Sequence, residues 1–311
     1  MLTVKALTGL AKAEYLLRPN QIARRLWREA TGQHPQVTRV RLPWGPEIAV
    51  NTADSLGWSL YTRAIYETTV TEALWRLIQP GDSVVDAGAN IGYMTSIMAA
   101  RVGQSGKIYS FEPHPALFEE LERNVATWKT LKRAGSFSLH QAALGDRKGS
   151  AQLRVSESFS TNRGIARIAS GATLEAETSF QVIVLALDDV IPKQEAIRVV
   201  KLDVEGYEMA VLQGMVGLLR ARRVRHIIFE ENHNFPAPTH EFLWDMGYAI
   251  FGIDRHFSGI RLLRDQQPRY DPVTGPPRNY LATIEPELAL SCLQSGIWQS
   301  FGPAQFVRRW L

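Results

Sequence analysis

Residues 84–100 read VVDAGANIGYMTSIMAA: a β-branched pair, an aspartate, a glycine-rich turn and then an apolar run of helical length. Strand, tight turn and helix in that order start a parallel α/β unit, and in open sheets the ligand crevice borders such a turn. The unit begins after "QPGD" at 79–82. From there strand-length apolar runs alternate with helix-length segments, and strands are expected at 83–86, 107–112, 137–142, 198–203, 224–230, 248–253 and 279–284. Helices are expected near Ile91, after Pro113 and Pro115, and after "DVEG" at 203–206, where Met209, Leu212 and Leu219 would share one face. Residues 150–185 interrupt the alternation: "SESFSTNRGIARIASGAT", rich in Gly, Ser, Thr and Asn, lies between two β-like runs and reads as a long loop over the sheet, a lid in function.

The turn itself restricts the ligand. A dinucleotide fingerprint needs glycines where this chain has Gly88, Asn90 and Tyr93, so that a pyrophosphate can approach bare backbone. Two of the three are missing, and Asp86 would set a negative charge beside any phosphate. A carboxylate there suits an ammonium or sulfonium group instead. The second strand ends in "YSFEP", where Glu112 offers two carboxylate oxygens to the hydroxyls of a ribose. A nucleoside with positive charge and no phosphate fits both residues, and S-adenosylmethionine is such a molecule. Gly88, Asn90 and Gly92 of the turn join Asp86 and Glu112 as its expected contacts.

At these residues the chain resembles a known family. "VVDAGANIGYMTSIMAA", "GKIYSFEPHPALFEELERNV", "QAALGD", "LDDV" and above all "VVKLDVEGYEMAVLQGM" at 199–215 are similar to the FkbM-type S-adenosylmethionine-dependent methyltransferases, over about residues 65–284. The resemblance implies a Rossmann-like class I methyltransferase fold, an α/β architecture with a seven-stranded, mostly parallel sheet and helices on both faces. It also implies methylation of a hydroxyl on a small molecule, sugar or glycan, and it adds Ala143 of "QAALGD" to the cofactor contacts.

Methyl transfer to an alcohol requires alignment of acceptor, methyl and sulfur, and a base near the attacking oxygen. Asp203 ends the fourth strand and is expected on both the cofactor and the catalytic side, while Glu230 and His233 close the fifth in "FEENHN". Lys201 lies on the same side of its strand as Asp203 and is a candidate charge partner for it. Glu205, with Asn162 and Arg163 from the loop "SESFSTNRGIARI", is assigned to the acceptor. Asp203, Glu230 and His233 could instead hold a divalent metal, but no regular metal-ligand spacing supports them, and a metal-free mechanism is preferred.

Three other readings compete. An NAD-dependent oxidoreductase would use Glu112 on a ribose but lacks its glycines. A nucleic-acid base methyltransferase would show Pro-Pro-aromatic after the fourth strand, where this chain has "DVEG", and no broad basic groove is evident, so no nucleic-acid partner is expected. A cofactor-binding interaction scaffold without catalysis is the third.

Composition sets the remaining bounds. The chain has 311 residues, 45% of them hydrophobic, one cysteine (Cys292) and no apolar run approaching a membrane span, which together read as a globular protein of the cytoplasm. Residues 1–45 hold eight Lys or Arg against Glu14 and Glu29, a surplus of +6 that leaves the remainder of the +4 chain at −2. This leader reads as a helical cap, or as peripheral contact with an anionic membrane. "VTRVRLPWGPEIAVN" at 37–51 reads as a hairpin. The division expected is a basic helical and hairpin cap at 1–64, the methyltransferase domain at 65–285 and an aromatic tail at 286–311. That tail carries Trp298, Phe301, Phe306 and Trp310, which must pack on the parent domain, on a second copy in a homodimer, or on a membrane.

Overall fold

The computed structural model describes residues 35–129, 135–155, 167–168, 178–231, 235–256, 258–264, 278–294 and 297–300. It starts with the expected hairpin, β1 (Val37–Arg41) and β2 (Glu47–Asn51), in antiparallel register from Val37 opposite Asn51 to Arg41 opposite Glu47. Two helices, α1 (Ser55–Arg63) and α2 (Thr68–Leu77), lead to the repeating unit of β3 (Ser83–Ala87), α3 (Tyr93–Val102), β4 (Lys107–Phe111), α4 (Pro115–Lys129) and β5 (Ser136–His140). After β6 (Ala143–Leu144), β7 (Gly149–Val155), β8 (Arg167–Ile168) and β9 (Thr178–Leu185) come α5 (Leu187–Val190), β10 (Ile197–Leu202), α6 (Glu208–Gln213), α7 (Val216–Arg220) and β11 (Val224–Glu230). The described chain continues through α8 (Pro238–Asp245), β12 (Ala249–His256), β13 (Gly259–Arg264), β14 (Asn279–Thr283) and α9 (Pro286–Gln294).

The main sheet has the order β13-β12-β14-β11-β10-β3-β4-β5. The seven anticipated strands are all in it, parallel from β5 through β11, with β14 antiparallel between β11 and β12. An eighth strand, β13, extends the edge, because the chain turns back after β12 and pairs with it from Phe251–Arg264 to His256–Gly259. Strand order reverses between β3, which continues to β4, and its other neighbour β10. The crevice lies at that switch point.

The strands show why the sheet is buried on both faces. Val84, Ile108, Val199, Ile228 and Leu281 belong to one apolar core, while their neighbours Val85, Tyr109, Val200, Ile227 and Ala282 belong to the other. This period-two alternation of apolar residues on each strand demands helices above and below. The first core also takes in Trp44, Ile48 and Val50 of the hairpin, so the hairpin shares the core of the α/β unit. Trp44 Nε1 donates to Ser96 Oγ at 3.1 Å, Trp128 Nε1 to the Glu47 carbonyl at 2.7 Å, and Ala49 N to Asn124 Oδ1 at 2.8 Å. These bonds bolt the hairpin to α3 and α4, and α1 and α2 are carried to the crevice mouth as a result.

Two expectations change in detail. The single helix after "DVEG" is broken at Gly214 into α6 and α7, and the two oxygens of Asp188 cap the backbone N–H groups of Gly217 and Leu218 at 2.7 and 2.8 Å. The loop at 150–185 is flanked by real strands: β7 and β9 pair antiparallel from Gly149–Val184 to Val155–Thr178, with β6 and β8 on either side. Leu153, Val182 and Val184 alternate inward and close a small core with Ala143, which stabilises this pairing. The start of the aromatic tail packs on its own chain. Trp298 is buried, its N–H bonds the Ser258 carbonyl at 3.0 Å, and Glu72 accepts from Gln299 N and Ser300 N at 2.8 and 2.9 Å. Phe301, Phe306, Trp310 and the basic leader as far as residue 34 lie outside the described residues. No described helix is long and apolar enough to cross a membrane.

Candidate active site

A cavity of about 530 Å³ opens at the carboxyl ends of β3, β4, β10 and β11, a size suited to one small ligand. Its floor is the turn after β3. The N–H groups of Gly88 and Ala89 both donate to the Phe111 carbonyl (3.0 and 2.9 Å), Asn90 N to Glu112 Oε2 (2.8 Å), Ile91 N to Asn90 Oδ1 (2.8 Å) and Gly92 N to the Ala89 carbonyl (2.9 Å). Every N–H from 88 to 92 is thus engaged within the protein, whereas a phosphate-binding loop keeps such donors for its ligand. Gly88 has φ +75, and an added Cβ would lie 1.9 Å from the Asp203 carbonyl oxygen, so glycine is required where the loops after β3 and β10 meet.

Glu112 lines the cavity as expected, but its oxygens are not both free: Oε2 accepts from Asn90 N and Oε1 from His114 N at 2.9 Å. A carboxylate oxygen has a second lone pair, so each can still accept from a ribose hydroxyl while the backbone bonds fix its direction. Burial pushes its carboxyl up to about 7, against the pull of the two N–H bonds and of Lys201.

Asp86 departs from its expected role. It is wholly buried, does not line the cavity, accepts from Thr95 Oγ1 at 2.6 Å, and lies 3.7 Å from Lys201 Nζ. It braces the first turn of α3 and supplies a counter-charge beneath the site. Its register partner Lys201 points to the same side of the sheet and lines the cavity, while Thr95 and that lysine hold the shorter Asp86 side chain beneath it. Lys201 is the cation of the floor. Its Nζ donates to Asp203 Oδ2 at 3.0 Å and to the Gly88 carbonyl at 3.2 Å. Burial alone would lower its pKa, but Asp203, Asp86 and Glu67 together hold it above the ordinary lysine range.

Of the other expected contacts, Asn90, Ala143, Asp203, Glu205 and Glu230 line the cavity. Gly92 does not: with φ +96, its open side faces α4, where a Cβ would come within 2.8 Å of Leu121 Cδ1, so it serves helix packing. His233, Asn162 and Arg163 lie outside the described residues. Among the described residues no group of three His, Cys, Asp or Glu side chains is arranged for a metal ion.

Sequence reasoning missed Glu67 and Tyr66, which enter the cavity from the link between α1 and α2, and Arg278 and Asn279 at its rim. Burial, then the carboxylates of Asp203, Glu230 and Glu205, push Glu67 up to about 8 against the pull of Lys201. In the structure Glu67 stands at the N-cap of α2, a position that glutamate fills poorly, and it caps none of the N–H groups of that helix. Of the non-glycine residues with positive φ, Glu67 (φ 40), Asn90 (φ 52) and Glu205 (φ 53) all line this cavity. Backbone strain of this kind collects at functional sites.

The residues present fit S-adenosylmethionine. Glu112 would hold the ribose, and the carboxylates around Asp203 would face the positive end. Strand order, the reversed β14 and this turn define a class I S-adenosylmethionine-dependent methyltransferase. The chain belongs to the FkbM methyltransferase domain family, whose model matches residues 86–250.

Methyltransferase 1 of Beauveria bassiana (strain ARSEF 2860) is 33% identical over 153 residues, which are 44% of this chain and 59% of that protein. Among solved structures, the methyltransferase FkbM of Methylobacillus flagellatus KT is 14% identical with a TM-score of 0.39, over 65% of this chain and 43% of that one. Aeropyrum pernix fibrillarin with natively bound S-adenosyl-L-methionine is also 14% identical with a TM-score of 0.39, over 81% of this chain and 95% of that one.

Proposed function

We propose that the chain methylates a hydroxyl of a small molecule, sugar or glycan. The observation that carries this reading is the set of carboxylates, Glu67, Asp203, Glu205 and Glu230, lining the same cavity as the ribose-side Glu112. Hydroxyl donors find acceptors there, and an alcohol, which is barely acidic, finds a base. When bound, the cofactor supplies an electrophilic methyl group on a sulfonium. The protein contributes the rest: Lys201 fixes Asp203 and the Gly88 carbonyl in one geometry, and Asp203 and Glu230 orient the acceptor by accepting its hydrogen bonds. Asn162, Arg163 and His233 are assigned to the acceptor side from the sequence alone and lie outside the described residues.

The test uses S-adenosylmethionine carrying a carbon-13 methyl group, incubated with the protein and fractionated hydroxylated acceptors. Product NMR should place the labelled methyl on an ether oxygen. A methyl found on nitrogen or carbon overturns the hydroxyl assignment.

A further inference from the structure

Glu67 lies before the matched span of residues 86–250, in the short link that joins α1 to α2. Its backbone is left-handed, φ 40 and ψ 64, a conformation glycine would hold without strain, and its side chain leaves the N–H groups of its own helix uncapped. That side chain instead lines the cavity. The charged and titratable groups facing it are Lys201 and Asp203 at the end of β10, Glu205 in the loop that follows and Glu230 at the end of β11. Tyr66 stands beside it, and Tyr93, bonded to Thr71 at 3.1 Å, lies behind it on α3. Asp203 is committed to Lys201 at 3.0 Å. Among the described residues Glu67 forms no such ion pair of its own.

We propose that Glu67 takes the proton of the acceptor hydroxyl, and that the positive charge of the bound cofactor readies it to do so. The first half rests on the hydroxyl acceptor proposed above; the second does not. Without the sulfonium, burial and the three neighbouring carboxylates outweigh the pull of Lys201 and keep Glu67 protonated at neutral pH, its pKa standing at about 8. A sulfonium entering the same cavity favours the ionised form, so loading the methyl donor expels a proton. In the transfer, a lone pair of the acceptor oxygen forms the new C–O bond and the C–S bond breaks with its electrons left on sulfur. The O–H pair remains on oxygen and the proton passes to Glu67. Sulfonium and carboxylate become thioether and carboxylic acid, so no net charge is created in a site where charge is poorly solvated. The product complex then contains the protonated Glu67 of the resting enzyme.

Titration calorimetry near pH 7 in buffers of different ionisation enthalpy tests this without an acceptor. S-adenosylmethionine should release more protons on binding than the uncharged S-adenosylhomocysteine, by on the order of half a proton or more per site. Glu67→Gln should erase that difference while still binding S-adenosylhomocysteine. If this variant does not fold, Glu67→Gly, which relaxes the left-handed backbone, should erase it equally. Equal proton release by the two ligands in the unmodified protein, or a difference that persists in the folded variant, overturns the proposal. The hydroxyl assignment fails separately, on the position of the methyl group in the product.

Discussion

Lys201 on β10 stands in register opposite Asp86 on β3, with its Nζ 3.7 Å from Asp86 Oδ1 and 3.0 Å from Asp203 Oδ2. One buried ammonium therefore balances a carboxylate beneath the floor of the site and another at its surface. It also ties the two loops that meet at Gly88.

Lys201→Met should break this arrangement and leave Asp86 buried without its cation, at a cost of about 3–5 kcal/mol. Burial pushes the Asp86 carboxyl up, so in the variant the folded state keeps a proton that the unfolded state releases. The stability this contributes is complete below the unfolded carboxyl pKa and is lost as pH rises through the raised folded value. Urea unfolding should show the variant least impaired at acid pH. A small loss, equal at all pH values, would contradict the role given to Lys201.

Glu112→Ala should weaken S-adenosylhomocysteine binding by about 10- to 100-fold, the loss expected for a hydrogen bond to a charged group. Its carboxyl lies at about 7, so affinity in the unmodified protein should rise between pH 6 and pH 8 as the carboxylate forms, and this rise should vanish in Glu112→Gln. Calorimetric titration across that range measures both. Unchanged affinity would remove Glu112 from the ribose.

The strands of the main sheet, apart from β13, were legible because apolar runs in a two-sided sheet carry a strong pattern, and because the turn at 86–92 has few uses. The site was legible wherever a residue ends a strand, as with Glu112, Asp203 and Glu230. Asp86 misled because its partners come from other elements: Thr95 of α3 and Lys201 of β10 hold its carboxylate beneath the cavity. Glu67 escaped notice because its place in the cavity follows from long-range packing of the hairpin and α2 on the first core, which no local pattern encodes. The two β-like runs around the loop were legible as well, but not their pairing, which sets Gln152 opposite Gln181.

Glu67 and Glu112 are both raised above ordinary glutamate, to about 8 and about 7. Each contributes stability that is complete below the unfolded value and is lost as pH rises through the folded one. The melting temperature should therefore fall from pH 5 to pH 8, and Glu67→Gln with Glu112→Gln should flatten that fall. A slope equal to the unmodified protein's would show that neither carboxyl is raised.

Transfer should proceed without a divalent metal, with the proton taken by a carboxylate of the cavity. Treatment with a chelator should leave turnover unchanged on any acceptor identified by the labelled-methyl assay. Loss of turnover, restored by magnesium or manganese, would instead make Asp203, Glu230 and His233 metal ligands that lower the hydroxyl pKa.

The turn from Gly88 to Gly92, with its N–H groups engaged internally and Glu112 above it, bears most directly on what the protein binds. Calorimetric titration with S-adenosylhomocysteine and, separately, with NAD tests it in one experiment. The sulfur nucleoside should bind and NAD should bind far more weakly, because no backbone donor of this turn is left for a pyrophosphate. Tighter binding of NAD than of the sulfur nucleoside would contradict the account.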